Sequence, residues 1–416
     1  MTSPQVVPID ISEYTMTNRV ATLVDFFCDM WQQTDHVPFA PGTLFSKCEQ
    51  KKRERFFKQF VNRLENENKS TIQLDDEATH ERIFKHVRLF FESALKFSPA
   101  QVDLLLSQGF KASTKEFVRV AKQFDPTLSY TDLFQACRNV WIMNGLQLML
   151  GLPIEFTPAI FAYSMLYPYT DNYLDDPAIS AEHKRDFNRR FAQRLAGESV
   201  MATNDHERVI FVLVEMIEGQ FNRLVYPDVY LSLLAIHRAQ TLSVGLVGCD
   251  ETVSSRRVME ISFDKGGTSV LADGYLVAGE LTPDQERFLF GYGIYLQLLD
   301  DLQDVNEDLE NGQQTLYAME IAKGPLDEMT WRTLDFGDRV MGDITGFYGT
   351  GCRQYVSIMQ QSIPLMLLEA VALAPDYFTS NCLQTLESFS PFRFLFIREM
   401  KQRHAKHYMS MFGKTV

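Results

Sequence analysis

An all-α fold follows from three features of this 416-residue sequence. Apolar residues recur at i, i+3, i+4 and i+7 over most of the chain, and period-two alternation is scarce. Proline and glycine fall mostly between the apolar stripes, where they punctuate helices. The first stripe is Val20, Leu23, Val24, Phe27 and Met30–Trp31. Similar stripes follow at Phe56–Leu64, Ile83–Leu95, Val102–Leu106 and Phe117–Phe124. The most polar stretch, Glu65–Glu81, reads as a loop between helices. Residues 1–130 form a helical N-terminal layer, and residues 131–416 a helical domain whose informative motifs lie between about 131 and 320. The chain closes on a basic helical segment from Arg398 to Tyr408.

Composition narrows the function classes. Hydrophobic residues make up 45% and charged residues 23%, which is globular rather than disordered. The net charge of -14 opposes nucleic-acid binding and weighs against electrostatic docking on anionic lipid, leaving room only for a local basic pocket. The six cysteines, Cys28, Cys48, Cys137, Cys249, Cys352 and Cys382, show no CxxC pair and no zinc spacing. They read as reduced, buried cysteines of an intracellular, cytoplasmic protein. The N-terminus lacks the basic and apolar regions of a signal peptide. No uninterrupted apolar stretch approaches the ~18 residues of a membrane span. The longest, near Val229–Ile236 and Ile363–Ala374, are short, and the second contains Glu369. No transmembrane segment is therefore expected.

Two carboxylate clusters carry the chemistry. The first is Tyr169-Thr-Asp-Asn-Tyr-Leu-Asp-Asp-Pro177, after the apolar run Ile160–Tyr167. Asp171 and Asp175 are i, i+4, so a helix sets both on one face about 6 Å apart along the axis, with Asp176 beside them. The second is Tyr295-Leu-Gln-Leu-Leu-Asp-Asp-Leu-Gln-Asp-Val-Asn-Glu-Asp308. There Asp300, Asp304 and Asp308 form one i, i+4, i+8 line. Asp301 lies three before Asp304 on the same side, and Gln297 one turn upstream. Like charges at this spacing repel by a few tenths of a kcal/mol per pair, and a divalent cation offsets the repulsion. An EF-hand is excluded: with Asp304, Asn306 and Asp308 leading the loop, Leu309 and Thr315 stand where glycine and glutamate are required. A di-iron site is excluded because only Glu77 and His80 form a Glu-x-x-His unit. Mg²⁺ binds oxygen, keeps waters, and takes few protein carboxylates plus substrate phosphates, so paired clusters point to a metal-bridged diphosphate leaving group.

With these motifs, residues 131–320 resemble the class I isoprenoid synthases: terpene synthases, prenyl diphosphate synthases and their squalene and phytoene synthase relatives. Phe263-Asp-Lys-Gly-Gly-Thr-Ser-Val-Leu271, followed by Phe290-Gly-Tyr and the second acidic motif, is similar to the prenyl synthase lysine helix and FQ-x-x-DD-x-x-D pattern. Asp300, Asp304 and Asp308 also occupy the ligand positions of the terpene synthase Asn/Asp-Asp-x-x-Ser-x-x-x-Glu motif. The D-x-x-x-D-D order of the first motif is closer to squalene and phytoene synthases. The resemblance implies an antiparallel helical bundle around an apolar cavity, with the two clusters facing each other at its mouth. It implies Mg²⁺, or Mn²⁺, held by Asp171, Asp175, Asp176, Asp300, Asp301, Asp304 and Asp308, of which Asp171, Asp300 and Asp304 are catalytic. Diphosphate would be contacted by Lys265, with Gln297 facing the cavity and Arg138 a weaker candidate.

His237 and Arg238 either line the mouth or serve helix packing. Tyr163, Tyr167 and Tyr295 are candidate walls for a carbocation, while Arg403 and Tyr408 read as a solvated tail. The expected partner is a prenyl diphosphate, with a homodimer as the assembly considered. A chain-elongating enzyme needs a second diphosphate pocket. No Gly-Lys-x-x-Arg-Pro segment precedes Asp171, Lys184-Arg185 lies far from Asp175, and Gln314 stands where a lysine is usual. Terpene synthase is therefore the expected activity. Chain-elongating or head-to-head prenyltransferase is the alternative, and a non-catalytic helical protein a third.

Overall fold

A computed structural model of the chain describes residues 12–38, 42–69, 77–175, 178–246 and 253–412. It is all-helical, with no β-strand among the described residues. In chain order the helices begin α1 (Ser12–Gln32), α2 (Lys47–Lys69), α3 (Glu77–Ser93), α4 (Pro99–Leu105), α5 (Gln108–Phe124) and α6 (Tyr130–Met149). The middle of the chain forms α7 (Pro158–Asp175), α8 (Ala181–Leu195), α9 (Asp205–Gln220), α10 (Pro227–Val244), α11 (Ser255–Ala278) and α12 (Pro283–Gln303). The rest forms α13 (Val305–Asn311), α14 (Leu316–Ile321), α15 (Asp327–Gly342), α16 (Cys352–Leu373), α17 (Ser380–Glu387) and α18 (Phe394–Phe412).

Local chemistry sets many of these ends. Ser98 with Gln101, and Ser129 with Asp132, close capping boxes on α4 and α6, satisfying N–H groups that the first helical turn leaves open. Ser180, Asn204, Ser254, Thr315 and Thr379 cap α8, α9, α11, α14 and α17 by the same kind of side-chain bond. Each such cap contributes about 1 kcal/mol. The stretch Glu65–Glu81, expected as a loop from its polarity, is helical at both ends, and residues 70–76 lie outside the described residues. Glu65–Lys69 continues α2, and α3 starts at Glu77. Glutamate and lysine are good helix formers, so a polar run need not break a helix.

The chain divides into two compact units, each drawn from three separate stretches of sequence. The first takes Met1–Gln33, Ser107–Gln297 and Arg339–Arg353; the second takes Thr34–Leu106, Leu298–Asp338 and Gln354–Val416. The reason lies in the partners of the N-terminal helices. In the first unit α1 packs on α10 and α11. Its Arg19 pairs with Asp228 at 2.8 Å and with the buried Glu286 at 2.7 Å, and Tyr275 donates to the same carboxylate. The core of that unit holds Phe161, Phe187, Phe263, Tyr275 and Phe290. Two further carboxylates are paired there: the buried Glu207 with Arg190, and the half-buried Glu218 with both Arg194 and Arg223. Pairing is the condition for burying such groups.

In the second unit α2 joins the C-terminal helices. Glu54 binds Arg393 through two side-chain nitrogens and its backbone N–H, and Gln50 donates to the carbonyls of Glu387 and Ser390. The Phe57 ring meets those of Phe90, Phe392 and Phe396 edge-on. One helix among the described residues, α16, is long and apolar enough to cross a membrane by length and composition, with a mean hydropathy of 1.5. Pro364 and Glu369 interrupt it, so a search for uninterrupted apolar runs does not register it. Half of that apolar window is buried, and Gln101 donates to Ser357 while Gln361 donates to the carbonyl of Leu95. Among the described cysteines none is bridged. Burial pushes the thiols of Cys28 and Cys137 up to about 11. Cys48 departs from the expectation of burial, because it sits on the exposed side of the first turn of α2. Cys249 lies outside the described residues.

Candidate functional site

The first acidic motif ends a helix, as its spacing predicts. Asp171 and Asp175 are in the last turns of α7. Their side chains, and Asp176 entirely, lie outside the described residues. Tyrosines along α7 tie it to its surroundings. Tyr163 donates to the carbonyl of Ser269 on α11 at 3.4 Å, and Tyr169 donates to Asp125 at 2.6 Å. The Tyr173 ring, inside the motif, stacks on His206 at 4.7 Å and tilts against Phe187 at 4.8 Å. Burial raises the Tyr173 phenol and lowers the His206 imidazole, so both stay neutral near pH 7. The side chain of Tyr167 lies outside the described residues.

The second motif is not one straight stripe. α12 ends at Gln303, Asp304 bends away with φ −99° and ψ 9°, and α13 starts at Val305. Helical hydrogen bonding nevertheless bridges the bend: Asp304 N–H reaches the Asp300 carbonyl at 2.9 Å, and Asp308 N–H the Asp304 carbonyl at 2.8 Å. The four aspartates then differ in surroundings. Asp300 is half-buried and Asp304 exposed. Asp301, expected on their side, is only 4% exposed and lies near Tyr317, whose phenol is raised first by burial and also by that carboxylate. One step along a helix turns a side chain by about 100°, which separates it from Asp300. Asp308 accepts from the Thr315 hydroxyl at 3.0 Å, the same hydroxyl that caps α14, so it helps shape the α13–α14 turn. Among the described residues no group of three or more His, Cys, Asp or Glu gathers as a metal-ligand set. That set leaves out the side chains of Asp171 and Asp175.

Gly266, the residue after Lys265, and Gln297 are brought together inside the first unit by glycines. At the crossing of α11 and α12, a Cβ on Gly293 would fall 2.1 Å from the Gly266 carbonyl oxygen. A Cβ on Gly266 would fall 2.5 Å from the Cβ of Gln297, and one on Gly267 would strike the Phe290 ring. Backbones this close need glycine on both helices. The crossing sets the turn that carries Lys265 directly against Gln297. Beside Lys265, Asp264 receives Arg238 of α10 at 3.4 Å. Burial raises the Asp264 carboxyl, opposed by Arg238, and its second oxygen is buried without a partner.

His237 serves packing. A ring nitrogen meets the Asn188 carbonyl at 3.0 Å, the ring stands edge-on to Phe191, and burial lowers its pKa. Arg138 is exposed on α6, on the same side as the exposed Phe134 and Trp141. Tyr295 is buried in the core of the first unit, Arg403 is exposed on α18, and the side chain of Tyr408 lies outside the described residues.

One buried group was not singled out from the sequence. Asp273 on α11 is 1% exposed, is hydrogen-bonded by Asn139 of α6, and has one oxygen without a partner. Asn139 also donates to Ser164 of α7 at 3.2 Å. The available signal was an aspartate within the otherwise apolar Val270–Leu276 run. No protein-family model matches the chain, and no curated protein matches it.

Proposed function

We propose that the protein is a Mg²⁺-dependent class I terpene synthase that ionises a prenyl diphosphate. The C–O bond to diphosphate breaks, pyrophosphate leaves with the electron pair, and an allylic cation remains. The observation that carries the proposal is the glycine crossing that sets the Lys265 turn against Gln297. This is the neighbourhood that a lysine-helix and Q-x-x-DD pairing requires, and nothing local to either motif produces it.

In this reading Asp300 and Asp304 would hold Mg²⁺. The donor chemistry fits, since Asp300 and Asp304 are accessible carboxylates one helical turn apart. These carboxylates would place Mg²⁺ where it would offset charge on the departing diphosphate. Lys265 supplies a fixed positive charge to the diphosphate. Gln297 orients the allylic carbon end of the substrate, and Asp264 positions Arg238 beside Lys265. Interactions made to charge that develops only as the bond breaks raise turnover more than binding.

The D-x-x-x-D-D order of the first motif keeps head-to-head condensation as the second reading. The test is incubation with Mg²⁺ and single prenyl diphosphates of increasing chain length, with and without isopentenyl diphosphate. Pyrophosphate release from one substrate alone, with hydrocarbon or alcohol products, supports the synthase. Release that requires isopentenyl diphosphate and yields a longer diphosphate overturns it, and no release with any substrate points to a non-catalytic protein.

A further inference from the structure

The exposed face of α2 departs from the charge of the rest of the chain. The whole sequence carries -14, yet six of the exposed side chains between Lys47 and Arg63 are cationic: Lys47, Lys51, Lys52, Arg55, Lys58 and Arg63. The other exposed residues of that stretch are uncharged. Its two acids are taken up elsewhere. Glu54 is buried against Arg393, and Glu49 binds Ser46 at the helix start. At about 100° per residue, Lys47, Lys51, Arg55 and Lys58 share one side of the helix. Cations at i, i+4 repel one another, and no acid among the described side chains of α2 stands on this face to offset them.

Apolar groups flank the cations. Leu44, just before the helix, is 64% exposed, and Leu395 on α18 is 53% exposed. α18 packs on α2 through Phe57 and Phe396 at 5.7 Å, and the Lys58 ammonium lies 5.4 Å from the centre of the Phe396 ring. Phe56 and Phe60 are half-buried beside the cationic stripe. Lys96 and Arg53 both stack on Phe45 at 4.9 Å, adding charge at the start of the same helix.

We propose that this α2 face of the second unit is a docking surface for anionic phospholipid. A basic face bordered by leucine and phenylalanine matches anionic headgroups above and acyl chains below. A nucleic-acid phosphate backbone would answer the cations and leave Leu44 and Leu395 without a partner. The overall negative charge does not oppose this docking. At physiological salt the screening length is about 8 Å, so a surface one helix wide is governed by its own charges rather than by the chain's sum. The proposal is independent of the enzymatic reading.

The test is co-sedimentation of the full chain with vesicles of phosphatidylcholine alone and with about 30% phosphatidylglycerol. The expected result is a bound fraction at least about tenfold higher on the anionic vesicles, falling toward the neutral-vesicle level at about 0.5 M salt. The exposed-site variant Lys51→Glu/Arg55→Glu/Lys58→Glu should lose the binding while keeping its helical circular dichroism. Leu44→Ser should weaken binding and leave its salt dependence unchanged. Equal sedimentation with both vesicle types overturns the proposal, as does wild-type binding by the charge-reversed variant. Binding to a DNA or RNA oligonucleotide without binding to anionic vesicles overturns it in favour of a nucleic-acid surface.

Discussion

Gly293 and Gly266 touch so closely that the missing side chain of Gly293 would lie 2.1 Å from the carbonyl oxygen of Gly266. The obstacle is backbone, so neither helix can yield by rotating a side chain. Gly293→Ala should therefore cost at least the roughly 1–3 kcal/mol typical of overpacking. It should also reduce activity by displacing Gln297 from the Lys265 turn. Urea denaturation checks the first part and steady-state kinetics the second. A variant as stable as the parent would mean that the crossing is looser than described.

Asp300→Ala and Asp304→Ala should leave folding intact, because each relieves like-charge repulsion on a partly exposed face. Turnover should fall about 100-fold to 1,000-fold, the range for losing one group that stabilises developing charge, with a smaller change in KM. Asp301→Ala should behave differently. Asp301 is buried near Tyr317, so its loss should appear first as a lowered unfolding midpoint. Unchanged turnover in Asp304→Ala would remove that residue from the metal set.

Asp273 makes stability depend on pH. Burial raises its carboxyl well above the usual range, and the hydrogen bond from Asn139 only partly opposes this. The unfolded carboxyl titrates near 4. The group's contribution is therefore fully present below about pH 4 and is lost as pH rises through the higher folded value. Asp273→Asn keeps the shape and removes the titration. It should be more stable than the parent at neutral pH, with a flatter dependence between acid and neutral pH. Denaturant midpoints measured across that window test the sign.

Glu207 is fully buried and bound by Arg190, the Thr203 hydroxyl and the Thr203 N–H. Burial alone would raise its carboxyl, but these bonds hold it below the ordinary glutamate value. Its contribution is present above the unfolded pKa and is lost as pH falls through the folded one. Arg190→Ala leaves the charge uncompensated and should cost about 3–5 kcal/mol at neutral pH. Thermal unfolding should show the deficit shrinking toward acid, where Glu207 takes up a proton.

The helices and the i, i+4 placement of Asp171 and Asp175 on α7 are legible in the sequence. Each depends on residues within a few positions of one another, through apolar periodicity. Local pattern misleads at Glu65–Lys69, whose polarity reads as a loop, and at Asp304, where the spacing predicts a continuous stripe and the helix bends. Neither local pattern distinguishes a solvated helix from a loop, or a straight helix from one that continues after a break.

What the sequence by itself determined is an all-helical chain with two acidic motifs and a lysine–glycine helix. What only the tertiary structure decided is which groups meet. Glu54 finds Arg393 across 339 positions, α1 joins α10 and α11 through Arg19, and Asp301 turns inward while Asp300 does not. Gly266 reads as a helix-weakening residue until Gly293 lies against it, and the lysines of α2 read as part of an acidic protein until their neighbours are placed. Helix formation follows from bonds between near residues, whereas burial and charge environment depend on side chains hundreds of positions away.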